Sequence, residues 1–199
     1  AERLGLVATG CPTAIVGGTN GKGSTATLLA ALLRAAGRRT GLFTSPHLVR
    51  YNERIVVDGT PAADAVLVEA FAAIEDARHG ESLTFFECNT LAALWVFRAA
   101  RADALVLEVG LGGRLDATNL VDADVAVVCS IGFDHRDWLG DTLEAIGAEK
   151  AGIFRTGQSV VLGEQGLPRS VHERLDVLRV VPEVAGRDFH WQRALQGEG

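Results

Sequence analysis

Short apolar runs alternate along this chain with longer stretches whose apolar residues recur every three or four positions, the pattern of strands separated by amphipathic helices. AIVG (Ala14 to Gly17) is the first run; after a glycine-rich turn, STATLLAALLRAAG has helical spacing and reaches Gly37, where a helix stop is expected. TGLFTS predicts a second strand and RIVVDG a short third. Thr60-Pro61 reads as the opening of a helix to about Arg78, with proline in the first helical position. Thr84 to Glu87 have capping-box spacing and predict a helix to about Arg101; Asp141 to Glu144 predict a second capping box and a helix to about Ala151. ALVLEV (Ala104 to Val109) and VAVVCS (Val125 to Ser130) are apolar and β-branched, as strands covered on both faces are, which implies parallel pairing. SVVLG predicts another strand and PRSVHERLDV a short helix leading to LRVV, after which the pattern weakens from Pro182 onward. The fold expected is α/β, a mostly parallel doubly wound sheet with a P-loop and helices on both faces.

Composition narrows the class. With 199 residues, 48% apolar and 22% charged, the chain can bury one sizeable core. Its net charge of −6 offers no surface-wide grip on nucleic acid or acidic lipid, so any phosphate must be held locally. No apolar run reaches the roughly 18 residues of a membrane span, and AERLGLVATGCPT lacks a signal pattern, so a cytoplasmic location without membrane or nucleic-acid partners is expected. Cys11, Cys88 and Cys129 are odd in number and widely spaced, unlike a disulfide framework or zinc knuckle. Buried thiols are expected for at least the last two.

VGGTNGKGST carries the strongest local chemistry. A strand ends, glycines surround Lys22, and hydroxyls open a helix, so freed backbone amides, the helix's positive end and one ammonium form a phosphate cradle. The strict GxxxxGK(S/T) expression fails twice, at Val16 and Gly23, and the hydroxyl is shifted to Ser24 or Thr25. Gly21, Gly23 and Ala26 also fit a dinucleotide fingerprint, but that motif needs an acid at the end of the second strand, where Phe43-Thr44-Ser45 stand instead. Glu108 ends an apolar strand where ligands gather in open α/β sheets, and reads either as a magnesium ligand or as the ion-pair partner of Arg114. His135 and Ser45 lie just past two further strand ends and are candidates for the same cluster. Asp116, Thr118 and Asn119 share the loop after Glu108, where Asp and Asn also favour turns. Lys150, near a helix C-terminus, suits the dipole there and could pair with Glu144 or Glu149.

GTNGKGS (Gly18 to Ser24), FTSPHLVRYNERI (Phe43 to Ile55), LTFFE (Leu83 to Glu87), LEVGLGGRLDATN (Leu107 to Asn119), SIGFDHRDWLGDT (Ser130 to Thr142) and EKAGIF (Glu149 to Phe154), in this order, resemble the bacterial dihydrofolate synthase/folylpolyglutamate synthases, members of the Mur-type ligases. The resemblance covers about Ala14 to Phe189. It implies an ATP-dependent amide ligase that adds L-glutamate to dihydropteroate or folate through an acyl phosphate. By this resemblance Gly18, Thr19, Asn20, Gly21, Lys22, Gly23, Ser24 and Thr25 hold ATP, Ser45, Glu108 and His135 hold Mg²⁺, and Lys150, carbamylated by CO₂, acts with Lys22 in catalysis. Phe86 would stack on the pterin and Asp116 hydrogen-bond it, beside Ala117. Residues 1–185 would form the ATP-binding domain, with 186–199 the connection to a C-terminal domain normally supplied in cis, making the chain a truncated one in which Phe189 and Trp191 expose apolar surface. The alternatives are a non-catalytic nucleotide-binding fragment and an unrelated P-loop phosphotransferase.

Overall fold

The structure, a computed structural model, describes residues 1–134 and 136–191, Arg136 and Asp137 by their backbone alone. Its main elements in chain order are β1 (Thr13–Gly17), α1 (Lys22–Ala35), β2 (Thr40–Phe43), β3 (Ile55–Val57), β4 (Thr60–Pro61), α2 (Asp64–Arg78) and α3 (Phe85–Ala99). There follow β5 (Ala104–Glu108), β6 (Val125–Val128), α4 (Arg136–Leu139), α5 (Leu143–Ala151), β7 (Ser159–Leu162), α6 (Arg169–Leu178) and β8 (Glu183–Val184). Among the described residues no helix is long and apolar enough to cross a membrane.

The eight strands form one sheet in the order β4-β3-β2-β5-β1-β6-β7-β8. All neighbours from β2 to β8 run parallel, while β3 and β4 add an antiparallel edge. Alternate side chains divide the core. Val16, Leu42 and Val106 face α1 with Ala26 and Ala30, whereas Phe43, Leu105 and Leu107 pack on the other face against residues of α2 and α3. Further along that second face, Ile15 and Val128 join Ala151, Val171 and Leu175 of α5 and α6. Helices therefore cover both faces, as the sequence pattern predicts. The chain passes from β1 to β2, and then fills β5 between them before crossing to β6 on β1's far side. This switch point places a crevice at the carboxyl ends of β1, β5 and β6.

Three local expectations are corrected. Thr60-Pro61 does not open a helix: Asp58 (φ 49°) and Gly59 (φ 80°) form a tight turn, and Thr60 and Pro61 pair back on Val57 and Val56. Proline is accommodated because β4 is the sheet edge, and α2 begins only at Asp64. The second cap is shifted by one: Thr142, not Asp141, accepts the Ala145 amide (3.1 Å), and Glu144 caps the neighbouring α6 through the amides of Arg169 and Ser170 (3.0 and 2.8 Å). A last short strand, in the stretch where the sequence pattern weakens, falls at Glu183–Val184. The capping box at Thr84 and Glu87 is present in both directions. All three cysteines are free thiols, half-buried rather than fully enclosed.

Candidate functional site

The turn after β1 is shaped from within. Gly18 (φ 139°) and Gly21 (φ 82°) take backbone angles that side chains resist, and a Cβ on Gly18 would lie 3.1 Å from the amides of Cys129 and Ser130. The Thr19 amide donates to the Ser130 carbonyl (2.8 Å) and the Asn20 amide to its hydroxyl (3.0 Å), while the Thr19 hydroxyl bridges Gly132. These bonds fasten the loop to the segment after β6. The next amides, of Lys22, Gly23 and Ser24, open α1 and have no acceptor within the helix. Of the two hydroxyls the sequence left open, Ser24 is exposed and Thr25 accepts a bond from the Cys129 thiol (3.3 Å). The Lys22 ammonium folds back to donate to the carbonyls of Gly18 (3.0 Å) and Thr19 (3.2 Å).

Register brings the acid alongside. Val16 pairs with Glu108 and Phe43 with Leu107, so the ends of β1, β2 and β5 are level. Glu108 is 4% exposed, and its Oε2 accepts from the Ser45 amide at 2.8 Å. A Cβ on Gly23 would sit 3.4 Å from both carboxylate oxygens, in ordinary contact, so the first turn of α1 lies directly against the acid. Burial pushes the Glu108 carboxyl above its usual range, against the pull of the Ser45 amide and the Lys22 charge. The alternative ion pair is not formed: Arg114 binds Glu149 instead (2.8 Å). A nearly buried carboxylate that makes no ion pair among the described residues and feels the Lys22 charge only through space suits a metal ion. Among the described residues no three His, Cys, Asp or Glu side chains cluster, so such an ion would rest on one carboxylate and take other oxygens from a ligand, a magnesium-like donor set. His135, the third metal candidate, lies outside the described residues.

Lys150 departs from its dipole-and-neighbour expectation. It is 3% exposed and donates to the Gly18 carbonyl (2.9 Å), the oxygen that also receives Lys22. Glu144 and Glu149 are engaged elsewhere, on α6 and Arg114, because adjacent helix positions point in different directions. Burial, then the Lys22 charge, lowers the Lys150 pKa to about 8, opposed by Asp134.

An open cleft of about 660 Å³ begins at Ser45 and holds Phe86, Asp116 and Ala117. The capping box starts α3 so that Phe86 sits in its first turn, 5.7 Å from Phe43; Gly110 passes so close that a Cβ would lie 2.5 Å from the Phe86 ring. Asp116 accepts from the Leu111 amide (2.9 Å) and from the amide and hydroxyl of Thr118 (3.0 and 2.6 Å). Burial nonetheless raises its pKa. Sequence reasoning missed Arg54, Leu115 and Trp138, which line the same cleft. Nothing in composition or spacing marks Arg54, since its place depends on the loop from Ser45 folding back over α3.

Residues 16–163 match the Mur ligase middle domain. The dihydrofolate synthase/folylpolyglutamate synthase of Escherichia coli is 53% identical over 171 residues, 86% of this chain and 40% of that protein. Its Haemophilus influenzae counterpart is 48% identical over 191 residues, 96% of this chain and 43% of that protein. Among solved structures, E. coli FolC in complex with DHPP and ADP superposes with a TM-score of 0.94 at 47% identity, covering 97% of this chain and 47% of that one. The Yersinia pestis enzyme complexed with AMPPNP and Mn ion gives 0.92 at 46% identity, over 98% of this chain and 47% of that one. The chain thus spans less than half the length of these relatives, and the family model alone covers most of its own. The glycine-rich turn, the buried acid and the lysine behind it all belong to that matched segment: this chain is a member of the Mur ligase family.

Proposed function

We propose that this chain provides the ATP-binding and carboxylate-activating part of an ATP-dependent amide ligase that joins L-glutamate to dihydropteroate or folate. The observation that carries the reading is the meeting of Lys22, Glu108 and Ser45 at level strand ends, at the mouth of a cleft containing Phe86 and Asp116. The relatives' names and bound ligands supply the substrate class. In this reading the substrate carboxylate attacks the γ-phosphorus, ADP leaves, and the glutamate amine displaces phosphate from the acyl phosphate. Phosphoryl transfer asks a protein chiefly for positioning and charge neutralisation. The first-turn amides of α1 and Lys22, once released from its own loop carbonyls, would bind the phosphates together with Gly18, Gly21, Gly23 and the flanking hydroxyls. Glu108 and the Ser45 hydroxyl, with His135 by family resemblance, would hold Mg²⁺, whose charge offsets that of the transferring group.

Phe86 would stack on the pterin and Asp116 accept its ring N–H groups, next to Ala117. Lys150 is read as the carbamate-forming residue: its neutral amine would bond to the carbon of CO₂ and release a proton, replacing a cation beside Lys22 with an anion. Residues 1–185 are read as the ATP-binding domain and 186–199 as leading toward a second domain, which the greater length of the relatives accommodates and whose closure would complete the glutamate site.

Calorimetric titration with AMPPNP, with and without Mg²⁺, tests the assignment. Magnesium should tighten binding to the wild-type chain. Lys22→Ala should lose at least about tenfold in affinity, the scale of one charge-assisted contact, and Glu108→Gln should lose the magnesium effect. Unaltered affinity in the first variant, or an intact magnesium effect in the second, would sink it.

A further inference from the structure

Arg54 is 7% exposed, yet among the described residues no carboxylate pairs with its guanidinium. The acids that line the same cleft are already committed. Glu87 is bound to Thr84, Asp116 to Leu111 and Thr118, and Glu149 to Arg114. Neighbouring Glu53 is spent on the amides of Leu48, Val49 and Arg50. A guanidinium that is mostly buried, faces an open cleft and has no anion among the described residues is placed to take one arriving from outside.

The side chain is also held ready. Its Nε donates to His47 Nδ1 (2.8 Å), its guanidinium carbon lies 5.4 Å from the centre of the Phe85 ring, and its backbone carbonyl accepts the Thr44 amide (3.0 Å), one residue before Ser45. This uses the inner nitrogen, and among the described residues no hydrogen bond takes the two terminal nitrogens, the pair whose spacing matches a carboxylate's two oxygens.

We propose that Arg54 binds the carboxylate of the pteroate-type acid and holds it at the Ser45 end of the cleft, where it is to be activated. The inference rests on the folate reading above and adds the residue that recognises the reacting group. The anion could instead be the α-carboxylate of the incoming glutamate, so the test uses a ligand without glutamate.

Equilibrium binding of 7,8-dihydropteroate and of its neutral carboxamide is measured on the full 199-residue chain, on Arg54→Gln and on Arg54→Lys, with ADP affinity as a check that the glycine-rich turn is intact. The wild type should prefer the acid by roughly 10- to 100-fold, the range of a hydrogen bond to a charged group. Arg54→Gln should bind acid and carboxamide alike, with ADP affinity unchanged. Arg54→Lys should keep part of the preference, having charge without the fork. A preference that survives in Arg54→Gln, or equal weakening of both ligands, overturns the proposal. If Arg54→Gln does not fold, Arg54→Lys decides, and an undiminished preference there overturns it too. A wild type that binds both compounds equally refutes the role of Arg54 alone, whereas one that binds neither refutes the folate reading itself.

Discussion

Replacing Lys150 by methionine removes a buried ammonium while keeping a side chain of similar length, so the cost of holding that charge can be measured directly. In the folded chain the amine titrates at about 8 instead of 10.5. At about 1.36 kcal/mol per pH unit, this drop corresponds to roughly 3 kcal/mol of penalty. The unfolded chain binds the proton more tightly than the folded one, so the penalty is fully present below about pH 8 and fades as pH rises toward 10.5. Losing the bond to the Gly18 carbonyl costs about 1 kcal/mol at any pH. Lys150→Met should therefore be about 2 kcal/mol more stable than wild type near pH 7, with the gap closing to under about 1 kcal/mol near pH 9.5. Urea unfolding of both chains across that range, in CO₂-free buffer, reads the difference. A gap that does not change with pH, or a variant less stable near neutrality, would refute the account of Lys150 as a desolvated cation. The same burial raises the neutral fraction of the amine near pH 7.5 by roughly 200-fold over an ordinary lysine, which is the form that reacts with CO₂.

Two further substitutions probe the scaffold around the site. Gly110→Ala would set a Cβ 2.5 Å from the Phe86 ring and push it out of position, an overpacking cost of roughly 1–3 kcal/mol; dihydropteroate binding should weaken while ADP binding persists, and calorimetry with each ligand separates the two. Thr142→Ala removes the acceptor for the Ala145 amide at the start of α5 and should lower stability by about 1 kcal/mol in urea unfolding. An undiminished midpoint would return the capping role to another residue.

Element types were legible in the sequence because they follow from periodicities of two and 3.6 that any short window displays. The all-apolar AIVG, ALVLEV and VAVVCS announced covered parallel strands, and Thr84-x-x-Glu87 announced the start of α3. The Asp58-Gly59 turn was also there to be read as a hairpin, but Pro61 suits an edge strand as well as a helix start, and only pairing with β3 decides between them. The shifted cap has a similar origin. Glu144 stands at the right spacing for its own helix, yet its carboxylate serves the bare amides of α6, a neighbour 25 residues away.

The chain's own order of residues was thus sufficient for the α/β class, the glycine-rich turn around Lys22 and the suspicion attached to Glu108. It did not determine that Arg114 would choose Glu149, that Lys150 would turn inward to share the Gly18 carbonyl with Lys22, or that Arg54 would close one wall of the Phe86 cleft. Those outcomes depend on strand order and register, which set β5 between β2 and β1 and level their ends. Local propensity acts within a turn or two of the backbone, whereas the partner of a buried charge is chosen by whatever the packed sheet brings within a few ångströms of it, and that neighbour is remote in sequence.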